Sequence, residues 1–252
     1  ATSNDLIASA FFAHSTSLLI RAGEALGEDM SAYRSLYQKI VCAFRAYFME
    51  NGMPKAELPY TEVCVNGHAP IDTTRRGVTQ TALTLILHFG LCTESERPAL
   101  AAKLAEMIRA AGTHLETGFV GTPYLLHALS DNGYATLAYD LLLQTSAPSW
   151  LYSVRHGATT MWEHWDSIRE DDSFWSTDMN SFNHYAYGAV YDWIFGAAAG
   201  VKPSAPGYRE ISLCPHPDRR LGFLNVSLQT CCGMLRAHWY YKGDTVYYEF
   251  EI

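Results

Sequence analysis

The sequence has 252 residues, 48% of them hydrophobic and 17% charged, which excludes a disordered chain and suffices for one large domain or two smaller ones. Its formal charge of -8 excludes nucleic acid and anionic membrane surfaces as expected partners. No run of about 18 consecutive apolar residues occurs, so no membrane span is expected.

The chain opens Ala1-Thr2-Ser3-Asn4-Asp5, without Met, and reads as a cut inside a longer polypeptide. Residues 5–26 then carry Leu6, Ile7, Phe11, Leu18 and Leu19 at helical spacing, with Asn4 or Asp5 as the expected cap and Gly27 as the stop. Residues 31–50 repeat Tyr33, Leu36, Tyr37, Ile40, Phe44 and Phe48 at three- and four-residue steps, between a Ser31 or Asp29 cap and Asn51-Gly52. A long loop with Pro54, Pro59, Gly67 and Pro70 fills 51–77, a length that suggests a functional or disordered segment. Helical patterns return at 78–91, 96–111, 122–130 and 132–146. Residues 147–182 read as irregular, and 183–199 as one apolar helix ended by Gly200 and Pro203.

After Pro206-Gly207 the period changes to two. Strands are expected at 208–213, 224–228, 234–241 and 245–252, with Lys242-Gly243-Asp244 as a hairpin turn. The chain therefore divides into a helical domain, 1–202, and a β-domain, 203–252, whose last strand runs to the terminal residue and reads as truncated. Consecutive helical hairpins fit a bundle, a solenoid or an α/α toroid, and periodicity does not choose among them.

Six cysteines are present: Cys42, Cys64, Cys92, Cys214, Cys231 and Cys232. They form no CxxC pair and no zinc-spaced cluster, so neither metal nor cofactor is expected. Cys42 and Cys92 lie in apolar helical stretches and read as buried small hydrophobes. Reduced thiols lean toward a cytoplasmic setting. Cys231-Cys232 read as strand residues with no assigned role.

Chemistry concentrates in 157–188. Trp162 and Trp165 flank Glu163, and Asp166 follows three residues later. Asp178, Asn180 and His184 come next. Aromatic faces beside carboxylates and amides suit a sugar: rings stack on C–H faces and charged acceptors take hydroxyls. Glycosidases place two carboxylates around the scissile bond. The bland alternative is a buried aromatic patch with Glu163 in an ion pair or capping a helix, His184 as a satisfied core histidine, and Asp178 and Asn180 as turn caps. Phe119, in a loop with Gly118 and Gly121, reads either as a rim residue approaching a sugar or as part of a helix cap made by Thr122 and Pro123. Trp150 and Tyr152 read as an aglycone wall or as core. Asp171-Asp172 reads as a solvated acidic stretch rather than a metal site.

Several segments, in order, resemble the bacterial α-L-rhamnosidases, glycoside hydrolase family 78. They are Val78 to Ala82, His114 to Pro123, Pro148 to Tyr152, Gly157 to Ser167, Met179 to Gly188, and Pro206-Gly207-Tyr208 followed by Pro215-His216-Pro217. The resemblance implies the C-terminal half of an (α/α)6 barrel followed by an antiparallel β-sandwich segment, and hydrolysis of terminal non-reducing α-L-rhamnose with inversion. It implies Glu163 as the general base activating water, and His184 in the rhamnose pocket. Trp162, Trp165, Asp166, Asn180 and Phe119 are read from their own chemistry as further substrate contacts. It implies a rhamnose-containing glycoside as partner. The family's general acid is a different glutamate in an upstream segment with no match here; Glu94-Ser95-Glu96-Arg97 lacks its aromatic and glycine context. Seven expected helices also fall short of a twelve-helix barrel. A second reading is therefore a non-catalytic piece that binds sugar weakly or self-associates through its exposed half-barrel face. A third is another (α/α)6 glycosidase, or a lyase of a related toroid.

Overall fold

The computed structural model describes residues 2–58, 76–178 and 180–252. Most of the expected long loop, with Pro59, Cys64, Gly67 and Pro70, lies outside them, as does Met179. The chain separates into two compact units, Ala1–Asn132 and Gly133–Ile252.

The first unit is helical. Helix α1 (Asn4–Leu26) is capped not by Asn4 or Asp5 but by Ser3, whose Oγ accepts from Leu6 N at 3.4 Å; it ends at Gly27, φ 81°. Helix α2 (Ser31–Phe48) has Met30 at its cap position, while Asp29 Oδ1 accepts from Ser31 N at 2.9 Å. A small hairpin follows, β1 (Met49–Glu50) with β2 (Met53–Pro54), turning through Asn51 and Gly52 at φ 50° and 78°. Two-residue strands carry no periodicity, so nothing in the residue pattern announces them. Helix α3 (Gln80–His88) is the core of the unit, with Gln80 through Leu87 all buried. It packs against α4 (Arg97–Ala110) and α5 (Thr122–Ser130). Arg45 and Glu96 pair through two bonds of 2.7 and 2.8 Å.

By length and composition α1 would pass as a membrane-crossing helix, although no unbroken apolar run exists. Its Leu6, Ala10 and Ala13 are fully buried in the unit, while Phe12, Leu18, Leu19 and Leu26 are exposed. The expectation of buried cysteines is corrected. Cys42 is exposed: it sits two residues from both Ile40 and Phe44 and so falls off the buried stripe they define with Phe48. Cys92 is only half-buried, beyond the end of α3.

The second unit starts with α6 (Ala135–Leu142). It continues with α7 (Trp150–Arg155), inside the stretch expected to be irregular. The expected helix over 183–199 is a composite: a 3-10 turn Tyr185–Ala189, α8 (Val190–Trp193) and a π turn Ile194–Ala198. Strand β3 (Val201–Pro203) pairs antiparallel with β4 (Ile211–Leu213), placing strand where the helical domain was expected to end. Strands β5 (Phe223–Thr230), β6 (Gly233–Lys242) and β7 (Thr245–Glu251) form an antiparallel meander. Lys242 pairs with Thr245, so Gly243-Asp244 makes the turn, as expected.

Alternation along β6 buries Leu235, Ala237 and Trp239. The first two pack with Ala199 and Val201, and Trp239 Nε1 donates to Ala198 O at 2.8 Å. Gly200 is required where it stands: its φ is 73°, and a Cβ there would lie 2.1 Å from Pro215 N. Helices predominate in chain order, and antiparallel strands follow.

Candidate active site

The chemistry-rich segment lies in the second unit. It is organised by two irregular stretches, 160–163 and 181–184, that run antiparallel and are tied by hydrogen bonds. Glu163 N donates to Ser181 O at 2.9 Å, and His184 N to Met161 O at 2.8 Å. Thr160 Oγ1 donates to Phe182 O. This strap brings Glu163 and His184, 21 positions apart in sequence, onto neighbouring backbones.

Glu163 is half-buried. Its Oε2 accepts from Ser181 N at 3.1 Å, and Oε1 accepts from no donor among the described residues. Among the described residues it forms no ion pair. One oxygen is oriented by a backbone amide and the other keeps its lone pairs for a further donor. His184 caps the 3-10 turn: its Nδ1 accepts from Ala186 N at 3.4 Å.

The tryptophans are held differently. Trp165 stacks on Tyr187, with centroids 3.8 Å apart, and meets Trp150 edge-on at 5.3 Å. Trp150 Nε1 donates to Tyr187 O at 2.9 Å, closing a three-ring cluster. The Tyr187 phenol is pushed up to about 12, by burial first and then by the Glu163 carboxylate, so it stays a neutral donor. Trp162 is buried, edge-on to Phe182 at 5.6 Å.

Ser167, with no exposed surface, knots the loop. Its O accepts from Trp175 N at 3.0 Å and from Asn180 Nδ2 at 2.9 Å, and its Oγ donates to His164 O. Asn180 Oδ1 is buried and has no partner among the described residues. Asp166, half-buried, borders a cavity of about 480 Å³ with Tyr152, Arg169, Glu170 and Asp171. Tyr152 is buried and donates to Ile168 O at 3.1 Å. Burial, then the carboxylates of Glu170, Asp166 and Asp171, push its phenol up. Asp171 is exposed and accepts from Ser173 Oγ at 2.6 Å, a solvated turn as expected.

The strap and its loop thus gather Glu163, His184, Trp162, Trp165, Asp166 and Asn180 in one unit. Phe119 belongs to the first unit, exposed on the loop before α5. There Gln80, buried at the start of α3, grips the loop from both sides: Nε2 donates to His114 O at 3.2 Å, and Oε1 accepts from Glu116 N at 2.8 Å. A Cβ on Gly121 would lie 3.1 Å from both Thr117 and Thr81, so this glycine serves packing. Sequence reasoning missed Ser181, Tyr187 and Ser167 as supports of the site, and Gln80 as the anchor of the first unit's loop. Backbone amides have no sequence signature, and the other three are seen only once the fold brings their partners in. No cluster able to hold a metal occurs among the described residues.

The chain matches the family model of the bacterial α-L-rhamnosidase six-hairpin glycosidase domain over residues 1–198, and that of the bacterial α-L-rhamnosidase C-terminal domain over residues 200–252. It is 38% identical to an α-L-rhamnosidase of Formosa agariphila, covering 100% of this chain and 25% of that protein. It is also 38% identical to one of Streptomyces avermitilis, covering 94% and 21%. Among solved structures, the Streptomyces avermitilis α-L-rhamnosidase complexed with L-rhamnose matches with a TM-score of 0.87 and 35% identity, covering 100% of this chain and 22% of that one. The native enzyme of Aspergillus terreus gives 0.83 and 31%, covering 99% and 26%. The chain spans about a quarter of the length of these relatives.

Proposed function

We propose, from the premise that this chain belongs to the bacterial α-L-rhamnosidase family, that it supplies the water-activating side of an inverting α-L-rhamnoside hydrolase, with Glu163 as general base. The observation that carries this reading is the half-held carboxylate: Oε2 fixed by Ser181 N at 3.1 Å, Oε1 open to a donor. A water bound at Oε1 loses its proton to Glu163 as it attacks the anomeric carbon on the face opposite the leaving oxygen. Inversion sets the two carboxyl groups about 6.5–9.5 Å apart, leaving room for that water. The acid that protonates the leaving oxygen is assigned to a glutamate outside these 252 residues. His184 is assigned to the sugar pocket, beside Glu163 on the same strap. Trp165, steadied by Tyr187, offers an apolar wall, and Asp166 and Asn180 take further hydroxyls. The domain division is placed near residue 203, consistent with the change of period there.

The test is hydrolysis of p-nitrophenyl α-L-rhamnopyranoside beside p-nitrophenyl β-D-glucopyranoside, with the first-released anomer read by proton NMR. p-Nitrophenolate leaves with little help from an acid, so this substrate relies mostly on the base. Cleavage of the rhamnoside alone, releasing the β-anomer first, fits the reading. Preference for the glucoside overturns the substrate, and first release of the α-anomer overturns inversion.

A second reading has its own observation. Helices α1 and α2 border a mostly apolar groove of about 780 Å³, lined by Phe12, Ile40, Phe44, Tyr47 and Phe48. Phe12 and Tyr47 are 52% and 48% exposed. In this reading the isolated chain is inactive and a second copy covers the groove. A monodisperse monomer by light scattering across a range of concentrations refutes it.

A further inference from the structure

The turn between β5 and β6 carries two cysteines for which hydrolysis has no use. Thr230 pairs with Gly233, so Cys231 and Cys232 are the turn itself, and both are exposed. Their sulfurs lie 3.8 Å apart. The Cys231 S–H donates to Gly207 O, with sulfur and oxygen 3.1 Å apart. With that proton engaged, it is the Cys232 S–H that donates to the Cys231 sulfur. This bond, more than burial, holds the Cys232 thiol above its ordinary range. The turn backbone is also fixed: Cys232 N donates to Thr230 Oγ1 at 3.0 Å, and Thr230 Oγ1 donates to Gly233 O at 2.9 Å.

Two exposed sulfurs already in contact reach the bonded distance of about 2.05 Å by side-chain rotation together with some distortion of the turn backbone. Adjacent Cα atoms are about 3.8 Å apart, less than the roughly 4.4–6.8 Å that disulfides usually span, so the resulting ring is strained. Strained, exposed disulfides are the easily reduced ones, suited to reversible change rather than to permanent bracing.

We propose that Cys231 and Cys232 form a reversible oxidation site, closed to a vicinal disulfide by a low-molecular-weight disulfide. Cys231 attacks first, as its thiolate. A Cys231–S–S–R bond forms, the R–S–S–R bond breaks, and one R–SH leaves with the Cys231 proton. Cys232 then attacks the Cys231 sulfur, and a second R–SH leaves with the Cys232 proton. The protein loses two electrons and two protons, and the oxidant gains both. Closure also removes the S–H bond from Cys231 to Gly207 O, which ties this turn to the Pro206–Tyr208 turn. The site is independent of the rhamnosidase reading.

The experiment incubates the reduced chain with oxidised glutathione, blocks the remaining thiols with iodoacetamide, and maps the peptides by mass. The 231–232 peptide is expected to lose both alkylatable thiols and to carry no glutathione, and dithiothreitol restores them. Cys232→Ser is expected to stop at a glutathione adduct on Cys231. The proposal is overturned if both thiols stay alkylatable, if the wild-type peptide retains glutathione, or if Cys232→Ser sheds its adduct as wild type does.

Discussion

Glu163 and Ser181 hold each other through two backbone-based hydrogen bonds, Glu163 N to Ser181 O at 2.9 Å and Ser181 N to Glu163 Oε2 at 3.1 Å. The second needs an amide proton and not a hydroxyl. Ser181→Pro, which deletes that proton, should lower kcat on p-nitrophenyl α-L-rhamnopyranoside about 10²-fold through misplacement of the base. Ser181→Ala, which loses only the bond from Asn183 N to the serine hydroxyl, should stay within about threefold. Equal losses in the two variants would contradict the amide's role.

The Trp165–Tyr187 stack makes a separable prediction. Trp165→Ala removes a ring packed on both Tyr187 and Trp150 and should destabilise the second unit by about 3 kcal/mol, read as a shift of the urea midpoint. Trp165→Phe keeps a stacking face and should lose less than half of that. An unchanged midpoint in the alanine variant would show that the stack supports nothing.

Acid stability should carry the signature of Glu96. Its hydrogen bonds from Arg45 and then Thr93 lower its carboxyl from 4.5 to about 2. Because the folded value is depressed, the pair stabilises fully above the unfolded value near 4.5 and loses that contribution as pH falls toward 2. Glu96→Gln should therefore be less stable than wild type at pH 7, by about 1–2 kcal/mol, with the gap closing as pH falls through that window. A gap independent of pH would point to packing instead of charge.

Gln80 predicts a loop effect in the first unit. Gln80→Leu strands His114 O and Glu116 N without their side-chain partners, at about 1–3 kcal/mol. The Glu116 amide should exchange its proton faster in the variant. Protection equal to wild type would remove Gln80 as the loop's anchor.

Most helices were legible because their buried stripes recur at three and four residues, as Ile40, Phe44 and Phe48 do in α2. Strands β5 to β7 were legible from alternation. Helix α7 was not: it is six residues long, with Trp150 and Tyr152 placed by tertiary contacts rather than by an amphipathic period. The Tyr185–Ala198 stretch reads as uniform, yet its backbone changes pitch twice, which hydrophobicity does not encode. In the site, the reactive side chains were readable from their types and neighbours. Their supports were not, since Ser181 acts through its amide, and Ser167 and Tyr187 act through partners that only folding supplies.

The most direct test of the account is kcat for p-nitrophenyl α-L-rhamnopyranoside before and after Glu163→Gln, in a polypeptide that carries this chain and hydrolyses that substrate. Removing the base while keeping its shape and its bond from Ser181 N should lower kcat by about 10²–10⁴-fold with the fold intact by circular dichroism. A variant that keeps a near-wild-type rate would contradict Glu163 as the group that activates water.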